Sequence, residues 1–299
     1  MKNRLRVALV VCLAMTLLFA LTCIVKAEEE HHSDQVTKDD QPKKEEVKEP
    51  EALKPTVAMT LGLLNRYIFR GYELSTKSLV IQPDILVSLQ GFSLEYWGNL
   101  DTKERATQSF APDRPDRESY NETDLTLRYT KSFDKLSLTA GYTYYGLQYA
   151  KQTQEVFVLG SYDVPSNPTI SIYRDIDGYP GTYFNLKFSQ SFPVYKYNGN
   201  DITFDAGACF GYEAGSSNFW STLSSSGKYT GSRYNALHDG MISGGFTIPL
   251  AKNLNIQPLV QYWYPLSNKA HREIKGLSYN PNGKLDSTVV YGFNTIYTF

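Results

Sequence analysis

The chain has 299 residues, a formal net charge of −1, and 41% hydrophobic, 20% charged and 14% aromatic residues. That apolar content excludes wholesale disorder, and the balanced charge argues against a nucleic-acid binder, which carries a basic excess. Three cysteines exclude a disulfide scaffold, and the oddity is 23 tyrosines.

Residues 1–27 read as a secretory signal peptide. Lys2, Arg4 and Arg6 form a positive start, Val7 to Ile24 is mostly apolar, and Val25-Lys26-Ala27 fits a signal-peptidase site. Cleavage there leaves Cys209 as the single thiol. Residues 28–55 carry ten acids, five lysines and no aromatic residue. Such a segment cannot offset its chain entropy by burial, so a disordered periplasmic tail is expected. His31 and His32 lie in it without the further ligands a metal site needs.

From Thr56 the pattern is alternation, the signature of strands. Val57, Met59, Leu61, Leu63, Tyr67 and Phe69 mark a first strand, with Arg66 and Arg70 between them. Ile81 to Leu89, Phe92 to Leu100, Leu125 to Tyr129 and Leu136 to Tyr144 follow. Then come Gln152 to Tyr162, Thr169 to Ile176, Phe184 to Phe188 and Ile202 to Tyr212. Met241 to Leu250 is broken by glycines and has no clear phase; Leu254 to Tyr264 and Val289 to Phe299 close the series of twelve.

The connections alternate too. Polar loops are expected at 72–78, 101–119, 145–151, 177–181, 213–236 and 266–284. Shorter turns are expected at 90–91, 132–135, 163–168, 193–200 and 251–253. Long loops at one end, short turns at the other and an even strand count describe an outer-membrane barrel. The aromatics fit two belts. Tyr67, Phe69, Tyr96, Tyr142, Tyr144, Tyr212, Tyr262 and Tyr264 fall toward the long loops; Phe92, Phe133, Phe192, Tyr297 and Phe299 fall toward the short turns. A secreted β-sandwich also alternates, but has no use for belts at both ends. The fold class expected is all-β, a transmembrane antiparallel barrel of about 12 strands over residues 56–299.

Two resemblances accompany this reading. The run Tyr291-Gly-Phe293-Asn-Thr-Ile-Tyr297-Thr-Phe299 resembles the C-terminal signature of bacterial outer-membrane barrels. The resemblance implies that Tyr291, Phe293, Tyr297 and Phe299 are read by the barrel-assembly machinery. Asn65-Arg66-Tyr67-Ile68-Phe69-Arg70-Gly71, with Ile81-Gln82-Pro83 and Tyr142-Thr143-Tyr144-Tyr145, is similar to the TorF-like conserved hypothetical outer-membrane family. That likeness implies a barrel and carries over no functional residue.

The candidate site is the lumen. On a strand through residue 70, Arg66 and Arg70 share one face. A hairpin over 72–78 would set Arg66 opposite Asp84. The Gln90-Gly91 turn sets Asp84 opposite Trp97 and Leu86 opposite Glu95. Arg66, Asp84 and Glu95 would then form an ion network beside Trp97, with Asp124, Arg128, Lys187 and Asp205 on other staves. Such a set either sorts solutes by charge or fills the lumen with paired charges; twelve strands fit both.

No catalytic constellation, metal site or cofactor motif emerges. His238 and His271 are the histidines of the barrel, and neither has a serine at a spacing that strands enforce. Asp175-Ile-Asp177-Gly178 lacks the distal ligand of a calcium loop and reads as a turn. Phe219 and Trp220 lie in a Ser/Gly/Tyr-rich loop, placed either to stack on a sugar or, the favoured reading, to fold into the barrel mouth. The expected function is porin-like passage of small hydrophilic solutes. The expected partners are outer-membrane lipid and lipopolysaccharide, the assembly machinery and those solutes, with no nucleic acid. The alternatives are a closed structural or surface-interaction barrel and an outer-membrane lipid hydrolase.

Overall fold

The structure, a computed structural model, describes residues 54–110, 112–224, 226, 228–274 and 287–299. The expected signal peptide and nearly all of the tail lie outside the described residues. In chain order the elements are β1 (Thr56–Leu64), β2 (Tyr67–Phe69), β3 (Tyr72–Ser75), β4 (Val80–Leu89), β5 (Phe92–Asp101), β6 (Ser119–Phe133), β7 (Leu136–Leu147), β8 (Thr153–Tyr162) and β9 (Thr169–Asp175). Then come β10 (Gly181–Tyr197), β11 (Asn200–Gly215), β12 (Ser221–Leu223), β13 (Tyr229–Arg233), β14 (Asn235–Ala251), β15 (Leu254–Pro265), helix α1 (Asn268–Ile274) and β16 (Thr288–Thr298).

Twelve of these strands close into one antiparallel barrel, in the order β1-β16-β15-β14-β11-β10-β9-β8-β7-β6-β5-β4. The final strand seals it: Met59 lies opposite Tyr297 and Leu63 opposite Phe293. Closure leaves no barrel edge with unpaired backbone groups, the condition for strands to lie in hydrocarbon. β2–β3 and β12–β13 form separate two-stranded sheets outside the barrel ladder.

Alternation decides which side chains meet lipid. Leu125, Leu127 and Tyr129 on β6, Leu138 and Tyr142 on β7, and Val156 and Val158 on β8 are all exposed on the outer face. Their neighbours in sequence, including Thr126, Thr143 and Glu155, turn inward. An apolar exterior around a polar interior makes this a transmembrane barrel. Phe92, Phe133, Phe192, Tyr297 and Phe299 are exposed at the short-turn end, and Tyr142, Tyr212 and Tyr262 on the long-loop side.

Three expectations need correction. The first strand stops at Leu64, not Phe69. Tyr67 and Phe69 therefore belong to no outer belt; Tyr67 is buried against Trp97, ring centroids 5.2 Å apart. The segment 193–200 is not a loose turn. β10 and β11 stay paired to Tyr197 and Asn200, around a tight Asn198-Gly199 turn in which both residues have positive φ. The glycine-broken stretch 241–250 is the continuous strand β14.

Arginine in place of Leu127, which is 54% exposed on the lipid face, should destabilise the barrel by about 2–4 kcal/mol. Urea unfolding in phospholipid vesicles measures this; an unchanged midpoint would put Leu127 outside the apolar band.

Candidate functional site: the lumen

The lumen is built in zones. At the short-turn end, neighbouring staves meet through hydroxyl pairs: Ser88 with Ser93 at 2.9 Å, Thr130 with Thr139 at 2.8 Å and Ser132 with Ser137 at 2.8 Å. A polar cavity of about 520 Å³ opens there, lined by Ser132, Ser137, Ser161, Ser189 and Ser191 among others.

The middle zone carries the charges expected from the sequence. Asp84 lies opposite Trp97, Leu86 opposite Glu95, and Trp97 opposite Asp124. Arg128 pairs with Glu95 at 3.1 Å, one diagonal step across β5 and β6. Lys187 sits opposite Cys209. Asp205 takes hydrogen bonds from Thr203 at 3.0 Å and Thr247 at 2.6 Å. The Oδ1 atoms of Asp84 and Asp124 are buried and have no hydrogen-bond partner among the described residues.

Arg66 does not oppose Asp84. Thr60 holds that position. The chain leaves β1 after Leu64 and folds back as the β2–β3 hairpin into the long-loop half of the lumen. Arg66 consequently pairs with Glu73 of its own hairpin at 2.7 Å and bonds Thr288 on β16. The expected Arg66–Asp84–Glu95 network is thus replaced by two separate pairs, Arg66–Glu73 and Arg128–Glu95.

The tip of this hairpin is the focus of the structure. Arg70 and Gly71 are its two turn residues, with φ of 47° and 80°. Positive φ at both is what a type I′ turn requires, and Asn-Gly is its usual sequence. Arginine there costs about 1–2 kcal/mol of backbone strain. The return is in the side chain. Arg70 Nη1 and Nη2 donate to Glu155 Oε1 and Oε2 at 2.7 and 2.8 Å, a bidentate pair. Its Cζ lies 4.7, 4.7 and 4.5 Å from the ring centroids of Phe69, Tyr173 and Tyr183. A desolvated cation–π contact contributes about 2 kcal/mol, so the rings and the ion pair outweigh the strain.

Buried carboxylates crowd this tip. Tyr145 donates to Glu155 at 2.7 Å, Thr153 to Asp175 at 2.6 Å, and Tyr183 to Asp239 at 3.1 Å. Tyr67 reaches Glu122 at 3.4 Å. Glu213 is buried as well and has no hydrogen bond among the described residues.

The loops pack over the hairpin. Trp220, Tyr234 and Ala236 form a buried cluster with Tyr72, Tyr179 and Phe219 against it. Phe219 and Trp220 thus fold inward as expected. Gly215 permits this, because a Cβ there would stand 2.1 Å from Cβ of Trp220. In the loop between β5 and β6, burial pushes the Glu104 carboxyl above its ordinary range; hydrogen bonds from Tyr149 at 2.6 Å and Asn121 at 3.2 Å pull it back. Burial lowers the Lys269 ammonium, which lies 5.3 Å from the Tyr234 ring centroid.

His238 is fully buried beside this cluster, with Nδ1 2.7 Å from the Tyr234 hydroxyl. Tyr234 thus holds the ring nitrogen that an orienting carboxylate takes in a serine hydrolase, and Nε2, the nitrogen that would face a serine, has no hydrogen-bond partner among the described residues. Asp175 Oδ1 accepts the backbone N–H groups of Asp177 and Tyr179, both at 3.0 Å, which makes the Asp-rich segment a turn. Among the described residues no group of His, Cys, Asp and Glu has metal-site geometry.

No family model matches the chain, and no curated protein matches it in sequence. Solved structures do match in architecture. The KdgM porin is 10% identical over 82% of this chain and 99% of its own, with a TM-score of 0.44. The NanC porin is 10% identical over 81% and 98%, also at 0.44. An outer-membrane channel from Pseudomonas putida F1 is 8% identical over 85% and 100%, at 0.43.

Replacing either Arg70 or Glu155 with alanine strands a buried charge and should cost about 3–5 kcal/mol. The double variant should cost less than the sum, read from denaturant unfolding of all four proteins. Strict additivity would show that the two side chains do not act as a pair.

Proposed function

We propose that the chain is a porin-like barrel of the bacterial outer membrane that passes small hydrophilic solutes through its lumen, with the β2–β3 hairpin as constriction and gate. On this reading the hairpin-filled lumen is the closed form. The observation that carries the reading is the hairpin's attachment. It lies inside the barrel yet forms its own two-stranded sheet, outside the barrel ladder. Side chains hold its body there: Arg66 on Thr288, Tyr67 on Glu122 and Arg70 on Glu155. A segment held in this way can leave without opening a barrel strand.

The rest of the lumen suits transit. Hydroxyl-lined walls lead from the short-turn end to the charged middle zone. Asp84, Glu95, Trp97, Asp124, Arg128 and Lys187 line the path, with Arg66 and Arg70 on the gate. Among the described residues the inward carboxylates of the staves, including Asp84, Glu95, Glu122, Asp124, Glu155, Asp205, Glu213 and Asp239, outnumber the inward stave bases Arg128 and Lys187. A field of that sign favours cations. The outward aromatics Tyr291, Phe293 and Tyr297 of β16 and Phe299 just past its end are the residues we assign to recognition by the assembly machinery, and lipopolysaccharide is the assigned neighbour of the long-loop end.

Planar-bilayer recording tests the gate. Wild-type protein should show low or rare conductance. Replacing residues 66–78 by a short Gly-Ser link should give steady steps with cation selectivity. Arg128→Gln with Lys187→Gln in that open form should move the reversal potential further toward cations. A hairpin-deleted barrel that inserts and stays silent would refute passage through the lumen.

A further inference from the structure

A cavity of about 100 Å³ lies between the hairpin tip and the loops that cover it. Its walls are mostly aromatic: Tyr145, Tyr179, Tyr183, Phe219 and Trp220 contribute. Tyr179 and Phe219, from two different long-loop connections, meet at a tilt of 49° with ring centroids 4.5 Å apart and form its half-buried outer rim. Trp220 is pinned edge-on to Phe219, and its indole N–H donates to the Tyr179 carbonyl at 2.9 Å. The rings are therefore fixed in place rather than loose.

The polar side of the cavity has a deficit of positive charge. Arg70 is one guanidinium among the carboxylates of Glu155, Asp175 and Glu213, all of which line the same space. Glu155 is satisfied by Arg70 and Tyr145, and Asp175 by Thr153 and two backbone N–H groups. Glu213 is different. It is 3% exposed, lines the cavity and accepts no hydrogen bond among the described residues. Arg70 attracts it, but both Nη atoms of that guanidinium are engaged by Glu155, and a buried carboxylate that accepts no hydrogen bond is costly unless something completes it.

We infer that this cavity is a binding site for a small organic cation, with Glu213 as its counter-ion and Tyr179, Phe219 and Trp220 as its ring walls. Ring faces attract a weakly hydrated cation and give nothing comparable to a metal ion that must keep its oxygen shell. The volume admits a ligand of a few heavy atoms. The site lies on the long-loop side of the gate, where an entering solute arrives first. The inference deepens the proposed passage by naming a solute class, and it rests on that reading for the ligand's route.

Isothermal titration of the full-length protein in detergent micelles tests it, with choline, ethanolamine and the neutral choline isostere 3,3-dimethylbutanol as probes. Choline or ethanolamine should bind saturably and the isostere should not. Tighter choline binding assigns the larger share to the rings; tighter ethanolamine binding assigns it to hydrogen bonding at Glu213. Glu213→Gln preserves shape and should weaken binding about ten-fold or more. Tyr179→Leu with Phe219→Leu, on the half-buried rim, should weaken choline more than ethanolamine. Equal binding of the neutral isostere, unchanged affinity in Glu213→Gln, or no binding of either cation to wild-type protein would overturn the site. Equilibrium binding needs no conductance, so a silent barrel that still binds choline refutes passage alone, and a conducting barrel that binds neither cation refutes this site alone.

Discussion

The lumen is organised around one guanidinium. Arg70 sits at the tip of a hairpin in a left-handed backbone conformation, is gripped by both oxygens of Glu155 and is covered by three aromatic rings. An isolated two-stranded hairpin is marginal in water. Here it persists because the barrel supplies a dry enclosure in which that grip is strong and its loss expensive. The pair also sets the positions of its neighbours. Tyr145 bonds the same carboxylate, and Tyr183, which carries one of the rings, bonds Asp239. Remove the tip, and Glu155, Glu213 and Asp239, buried acids on three different staves, lose the cation between them.

The barrel was legible in the sequence because alternation reports a physical boundary. Lipid demands apolar side chains at every second position, and the polar lumen takes the others. The register of β4 against β5 followed from the tight Gln90-Gly91 turn alone, since a two-residue turn fixes every pair beyond it. That reasoning failed across residues 65–79. Tyr67 and Phe69 continue the odd-numbered phase of β1, so periodicity extends the strand through them. The signal that breaks it is Arg70-Gly71, a turn dipeptide whose first member is not a turn former. Its preference comes from Glu155, distant in sequence, and no local reading contains that.

Another feature escapes a reading of the sequence for a different reason. His238 and Asp239 are adjacent, so a regular strand would send one to lipid, yet both are fully buried. The pairing shows why. Phe210 opposes Gly240 and Tyr212 opposes Leu237, so β14 spends three steps where β11 spends two. This extra residue is a β-bulge, and it turns both polar side chains inward, where Tyr234 and Tyr183 meet them. Alternation cannot reveal a bulge, because the bulge is the place where alternation is suspended. The glycines that follow it, Gly240, Gly244 and Gly245, hid the phase of β14 for the same reason.

The distribution of polarity in the lumen then separates two kinds of side chain. Hydroxyl pairs between neighbouring staves satisfy one another at short range and leave the space beyond them open to water. Carboxylates cannot do so; each needs a donor, and donors long enough to reach the axis are few. In the upper half the chain brings those donors in on an inserted hairpin and on folded loops, and the space closes around them. Lower down it does not, and the cavity of about 520 Å³ remains. How far the space closes thus follows what its buried acids can reach, and Glu213, which has the charge of Arg70 nearby but accepts no hydrogen bond among the described residues, marks the point at which that closure is incomplete.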